Sequence, residues 1–254
     1  MANIFEQYGI KEVADVTIYK VGGTSSSPTY TPFLFLDTLK VSTLEQTAEQ
    51  VDARGGKGNP KLITWDYGKE INVTLEDALY SPRSMALMWG GENGVWENVT
   101  TITKMLKYTG KGNETDASTI VDGLGKAWKV NYQLTDEGTT ASVTKFEKDK
   151  IYTLEVEATA TNGAAKKLVI GSDDFPGTYK IVGDTYARNR NTGEDEYFQF
   201  IIPRAKMSAE QTLTLEAEGD PTTFNLNLTV LRPENGSMLE LIQYTLPDAP
   251  EAGE

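Results

Sequence analysis

Cysteine and histidine are both missing from this chain of 254 residues. Their absence excludes disulfides, thiolate nucleophiles, thiolate or imidazole zinc sites and every histidine-based proton relay. Catalysis would fall to carboxylates, Lys, Tyr or a hydroxyl activated by Lys. Long apolar runs are missing too. No segment approaches the roughly 18 consecutive apolar residues that span a bilayer as a helix. The opening "MANIFEQYGIKEVADV" shows no basic region followed by an apolar stretch, so no signal peptide is expected. The expectation is a soluble chain made in a cytoplasm, with no membrane partner, and the sequons at Asn72, Asn98, Asn113 and Asn227 read as chance. Positive charge is scarce: 24 Lys and Arg stand against 37 Asp and Glu, a net charge of -13. Such a chain has no general attraction for nucleic acid and is repelled by anionic membranes.

What is present is mostly strand signal. "ADVTIYKV" (14–21) puts Val16 and Ile18 on one face and ends at Gly22-Gly23. The Ser-rich 22–32 reads as a loop by composition, and "FLFLDTLKV" (33–41) as an apolar run. "KEINVTLED" (69–77) alternates strictly, with Ile71, Val73 and Leu75 opposed to Asn72, Thr74 and Glu76. Further runs follow at 151–158, 196–202, 211–218 and 223–231, and Trp128, Val130 and Tyr132 hint at one more strand. Many short alternating strands imply an all-β fold, a mainly antiparallel β-sandwich or partial barrel with one or two short flanking helices. One helix is marked by Ser81 as N-cap, Pro82 at the first position and Gly90 as stop, with Met85, Met88 and Trp89 as its apolar stripe. Docked on the sheet, it would cover the sheet's apolar side.

The motif closest to chemistry is "DARGGKGNPK" (52–61). A phosphate loop needs G-x-x-x-x-G-K-[ST] between a strand and a helix, so that amides and a hydroxyl hold phosphate and magnesium. Here Gly58 follows Lys57, Pro60 removes a donor, and the next residues read as strand. A tight turn is the better reading, and the copy "GKGN" at 110–113 agrees with it. The acidic clusters "GSDDFPG" and "TGEDEY" lack the spacing of a calcium loop and read as solvated turns. No carboxylate pair stands out among 37 acids, so a hydrolase ranks last. The reading is of a non-enzyme with no cofactor and no metal. An alternative is a soluble all-β binding domain, for example a carbohydrate- or receptor-binding module using exposed aromatics.

Residues 42–61 are a physical anomaly. They carry only Leu44 and Val51 as sizeable apolar side chains, between two apolar segments at 33–41 and 62–67. Twenty such residues bury too little within a monomer to offset roughly 1–2 kcal/mol of ordering entropy each. They are expected to be a mobile arm, or a long hairpin that orders against another subunit. Glu45, Glu49, Arg54 and Lys57 are the candidate contact residues of that arm, its cations meeting acidic surface on a neighbour.

Two stretches, 53–90 and 197–231 ("YFQFIIPRAKMSAEQTLTLEAEGDPTTFNLNLTVL"), resemble the corresponding regions of phage tail tube proteins, in the expected order and over less than a third of the chain. The resemblance implies a structural virion protein of the tail, assembled in the host cytoplasm. Its partners would be itself, in hexameric rings stacked into a tube, and other tail proteins such as sheath or tail terminator, with DNA passing through without tight binding. A long early hairpin would make the ring-to-ring contact, a role the 42–61 arm fits by position. On this reading residues 1–97 and 181–245 form the tube-like β domain, 98–180 an insertion or subdomain, and 246–254 a flexible acidic tail. A conduit wall should be acidic or neutral polar. Asn72, Thr74, Glu76, Glu216, Glu218, Asn225 and Asn227 are its candidates, and an ordinary solvent face fits the same residues equally well.

Overall fold

A computed structural model describes residues 6–24, 27–90, 96–140, 143, 145–161, 164–215, 217, 221–233 and 236–245. It is all-β and antiparallel, with a half-barrel and, among the described residues, one helix. The strands in chain order are β1 (Tyr8–Ile10), β2 (Asp15–Thr24), β3 (Ser27–Leu36), β4 (Leu39–Arg54) and β5 (Lys61–Asp77). Helix α1 (Pro82–Met88) follows. Then come β6 (Glu97–Asn98), β7 (Thr101–Thr109), β8 (Thr119–Val121), β9 (Ala127–Thr135), β10 (Gly138–Thr140), β11 (Ile151–Thr159) and β12 (Lys166–Lys167). The last four are β13 (Thr178–Asn189), β14 (Asp195–Met207), β15 (Phe224–Val230) and β16 (Glu240–Tyr244).

The chain divides into two compact units, Met1–Gly94 with Ile170–Glu254, and Val95–Val169. The first holds one nine-stranded sheet in the order β3-β2-β13-β14-β15-β5-β4, with β1 on β13 and β16 on β14. Its core is the inward half of each alternating strand: Val16 and Ile18, Ile71, Val73 and Leu75, Tyr179 and Ile181, Leu226 and Leu228. Burying each such side chain contributes about 1.5–3 kcal/mol. Helix α1 closes over them. Ser81 and Ser84 cap it reciprocally, the Ser84 amide donating to the Ser81 Oγ at 3.0 Å and the Ser81 amide to the Ser84 Oγ at 2.8 Å. The helix faces the core through Ser84, Leu87 and Met88, while Met85 and Trp89 are half-buried. The stripe expected from Met85, Met88 and Trp89 is therefore rotated, because Leu87 is the side chain that packs deepest.

Other sequence expectations shift. The Ser-rich 22–32 is mostly strand: β2 continues to Thr24 and β3 begins at Ser27. Pro28 and Pro32 are tolerated because β3 is an edge strand, where no amide is needed on the outer side. The run 33–41 is two strands broken at Asp37-Thr38, where the Thr38 hydroxyl donates to the buried Asp77 carboxylate at 2.5 Å. Residues 211–215 alternate as a strand should but join no ladder. Both edges of β14 are already taken, by β13 on one side and by β15 and β16 in line on the other.

The second unit holds a five-stranded sheet, β10-β9-β11-β7 with β8 on β9, and the small pair β6-β12. Phe146 lies in its core between Tyr108 and Tyr152, with ring centroids 5.2 and 5.0 Å away. Asp122 organises one turn. It accepts the amides of Leu124 (2.9 Å) and Lys126 (3.0 Å) and the Trp128 indole N–H (3.0 Å). Trp128 and Val130 are buried but Tyr132 is exposed. A bulge at Asn131 breaks the alternation, with Tyr132 opposite Glu155 and Val130 opposite Val156.

Candidate assembly surfaces

Strand β15 ends at Val230, and its ladder with β5 stops where Thr229 meets Asn72. On the N-terminal side of Asn72, β5 has a neighbour only in β4 among the described residues, so the two continue as a two-stranded ribbon. Residues 61–70 are all exposed, as are 45–51. This ribbon is the arm. It begins with a bulge: Ala48 stands against Gly68 and Lys69, and Gly68 takes a φ of 60° that favours glycine.

Directly opposite residues share a face. One face of the arm pairs Glu49 with Tyr67, Val51 with Trp65 and Ala53 with Ile63. Val51, Ile63, Trp65 and Tyr67 are each 51–53% exposed, a large apolar stripe with no cover in its own chain. The other face is mostly polar, although Leu62 is exposed beside Thr64. The Gln50 amide donates to Asp66 at 2.8 Å, and the Thr64 hydroxyl to Asp52 at 2.9 Å. Asp52 also meets Lys61 at 2.9 Å and Arg54 at 3.1 Å. Lys61 first, then Thr64 and Arg54, hold its carboxyl below the usual range. At the tip the Asn59 amide donates to the Gly56 carbonyl at 3.1 Å, and Gly56 and Gly58 take φ of 85° and 87°. "DARGGKGNPK" is a hairpin turn.

The four expected arm residues do not form one cluster. Glu45 lies opposite Asn72, at the base and within the sheet. Glu49 faces Tyr67, whose hydroxyl it hydrogen-bonds and whose pKa it raises. Arg54 spends its charge on Asp52, and Lys57 sits in the tip turn. The sequence reading missed the apolar stripe because it took 62–67 for core. The signal was present in "KLITWDYG" itself, whose apolar residues flag burial without saying by what.

The second surface is the polar side of β4, β5 and β15. Asn225 pairs with Glu76, Asn227 with Thr74 and Thr229 with Asn72. On the β4 side Glu45 lies opposite Asn72 and Thr43 opposite Thr74. The Thr74 hydroxyl donates to Asn227 at 3.2 Å and the Thr229 hydroxyl to Asn72 at 3.0 Å. Asn72, Thr74, Glu76, Asn225 and Asn227 are thus one contiguous patch, with Lys206 of β14 next in the row beyond Thr229. Glu216, Glu218 and the tail 246–254 lie outside the described residues.

Apolar ribbon and polar sheet face offer contact area to other protein surfaces. The comparisons give the class, a structural tail tube protein rather than an enzyme. The model of the YomU/Tube protein family matches residues 8–241, and the chain belongs to that family of phage tail tube proteins. It is similar to the tail tube protein of Bacillus phage SPR, 26% identical over 203 residues that cover 72% of this chain and 71% of the relative.

Proposed function

We propose that six copies of this chain close into a ring, and that the rings stack through the arm into the tube of a phage tail. The reading rests on one observation above the others: a long ribbon, exposed on both sides, with four large apolar side chains on one face. Burying each of them between copies would contribute about 1.5–3 kcal/mol toward ordering a segment that its own core does not cover. Open edges at β3 and β4 supply the lateral joints that close a ring. The patch of Asn72, Thr74, Glu76, Asn225 and Asn227 suits a channel wall that lets DNA pass, because these five side chains carry no positive charge to neutralise phosphate. Sheath or terminator proteins of the tail would meet the outer surface and the tube ends.

Negative-stain microscopy of concentrated protein tests this. Hollow tubes or six-fold rings are expected, with negligible DNA affinity at low salt. A chain that stays a small oligomer and changes its Trp fluorescence on adding sugars would overturn it in favour of a glycan-binding module. Deleting 48–60 should abolish stacking; tubes unchanged by that deletion would remove the arm from the reading.

A further inference from the structure

The ladder registers fix where each part of the first unit's sheet lies along the strands. Lys206 on β14 is level with Thr229 on β15, and Thr229 with Asn72 on β5. From Asn72, β5 and β4 run toward the same end as Asp195 of β14, and the arm tip lies there. Antiparallel to β14, β13 begins at Thr178 opposite Lys206, and β2 meets Tyr179 at Lys20 before turning into β3 at its tip. The β2–β3 tip is therefore at the opposite end of the same sheet from the arm tip.

Beside that far tip is a groove of about 250 Å³. Val21, Pro28, Tyr30, Pro203, Arg204 and Pro233 are among its walls. A bulge shapes it: β14 places both Pro203 and Arg204 against Lys180 between the Tyr179–Ala205 and Ile181–Ile202 pairs. The Arg204 side chain is exposed and makes no ion pair among the described residues. Lys180 is occupied differently, lying 4.6 Å from the centre of the Tyr30 ring. The groove thus offers proline and tyrosine surface with one guanidinium that has no ion pair among the described residues.

We infer that the arm of one copy docks by its Val51, Ile63, Trp65 and Tyr67 face into the Arg204 groove of the next copy. The inference rests on the stacking reading and names the receiving surface. The chemistry matches on both sides. An exposed indole is the best aromatic partner for an unpaired guanidinium, and tyrosine and aliphatic side chains pack against proline rings without leaving a polar group unpaired. The geometry matches as well. Two different patches at opposite ends of one sheet make a heterologous contact, which repeats along an axis instead of closing a dimer.

The absence of cysteine makes the test clean. Ala53→Cys marks the arm face and Thr178→Cys marks the groove, each a small substitution. The two variants are mixed, assembled and treated with a short bismaleimide. A cross-linked dimer is expected in the mixture and not with either variant alone. Tubes that form without a 53–178 cross-link, or cross-linking in Ala53→Cys alone, would overturn the inference while leaving stacking intact. Failure of the wild-type chain to assemble, or tubes from the chain lacking 48–60, would instead overturn the stacking reading and the inference with it. Independently, Arg204→Glu should raise the concentration needed for assembly at least about fivefold with an unchanged circular dichroism spectrum; an unchanged threshold counts against the groove.

Discussion

Three carboxylates in the second unit do most of the local ordering there. Asp122 accepts from Lys126, Leu124 and Trp128, Asp116 holds the Ser118 amide and hydroxyl at 2.9 and 2.6 Å, and Glu114 takes the Lys111 amide at 2.6 Å. Donors that favour the charged form hold all three below the ordinary carboxylate range. The Lys126 amide leads for Asp122, the Ser118 hydroxyl for Asp116 and the Lys111 amide for Glu114. A depressed folded value means that this stabilisation is full above the ordinary carboxylate range and disappears as pH falls through the folded values. Acid titration followed by Trp emission, in a chain with Trp65, Trp89 and Trp96 replaced by Phe so that Trp128 alone emits, should therefore report loosening of this unit on acidification, with a shallower acid limb in Asp122→Ala. Identical limbs would refute it. None of this was legible from composition. Trp128, Val130 and Tyr132 hint only at one strand here, because the turns between strands are ordered by side chains bonding to the backbone two to four residues away, which leaves no periodic apolar signal.

At the scale of the element, the arm divides stability from assembly. Trp65 is about half exposed and outside the core, so Trp65→Asp should leave the denaturant midpoint nearly unchanged while abolishing tubes. A large loss of stability would mean that the ribbon is held by its own chain after all. Leu226→Ala, at a buried core position, should do the reverse, costing about 2–5 kcal/mol. The β-rich architecture, the helix cap and the hairpin turn were readable because alternation and turn chemistry are local. The extent of the arm was not. Alternation in 62–67 says that a face will be buried, and a single sequence does not say whether its own chain or another buries it. The same limit hid the fate of 211–215, whose pattern is a strand's but whose place in the sheet depends on which edges remain open.

For the whole molecule, charge is unevenly shared. The second unit has ten lysines and ten carboxylates, net zero, leaving the first with 14 cations and 27 acids, net -13. Like units repel on approach, whereas the arm's exposed stripe is apolar and its Arg54 and Lys61 are already paired with Asp52. Added salt shortens the screening length from about 10 Å at 0.1 M to about 3 Å at 1 M. Light scattering should show the assembly threshold falling as NaCl rises. A threshold that climbs with salt would point to ionic stacking instead.

If the arm of one copy docks in the groove of the next as proposed, their places at opposite ends of the sheet would give a growing stack a direction. Its two ends would be chemically unlike, one presenting indole and tyrosine faces, the other the Arg204 groove. A length-setting partner would then need to recognise only one of them, and a soluble mimic of the arm hairpin should stop growth at one end while leaving the other free to elongate.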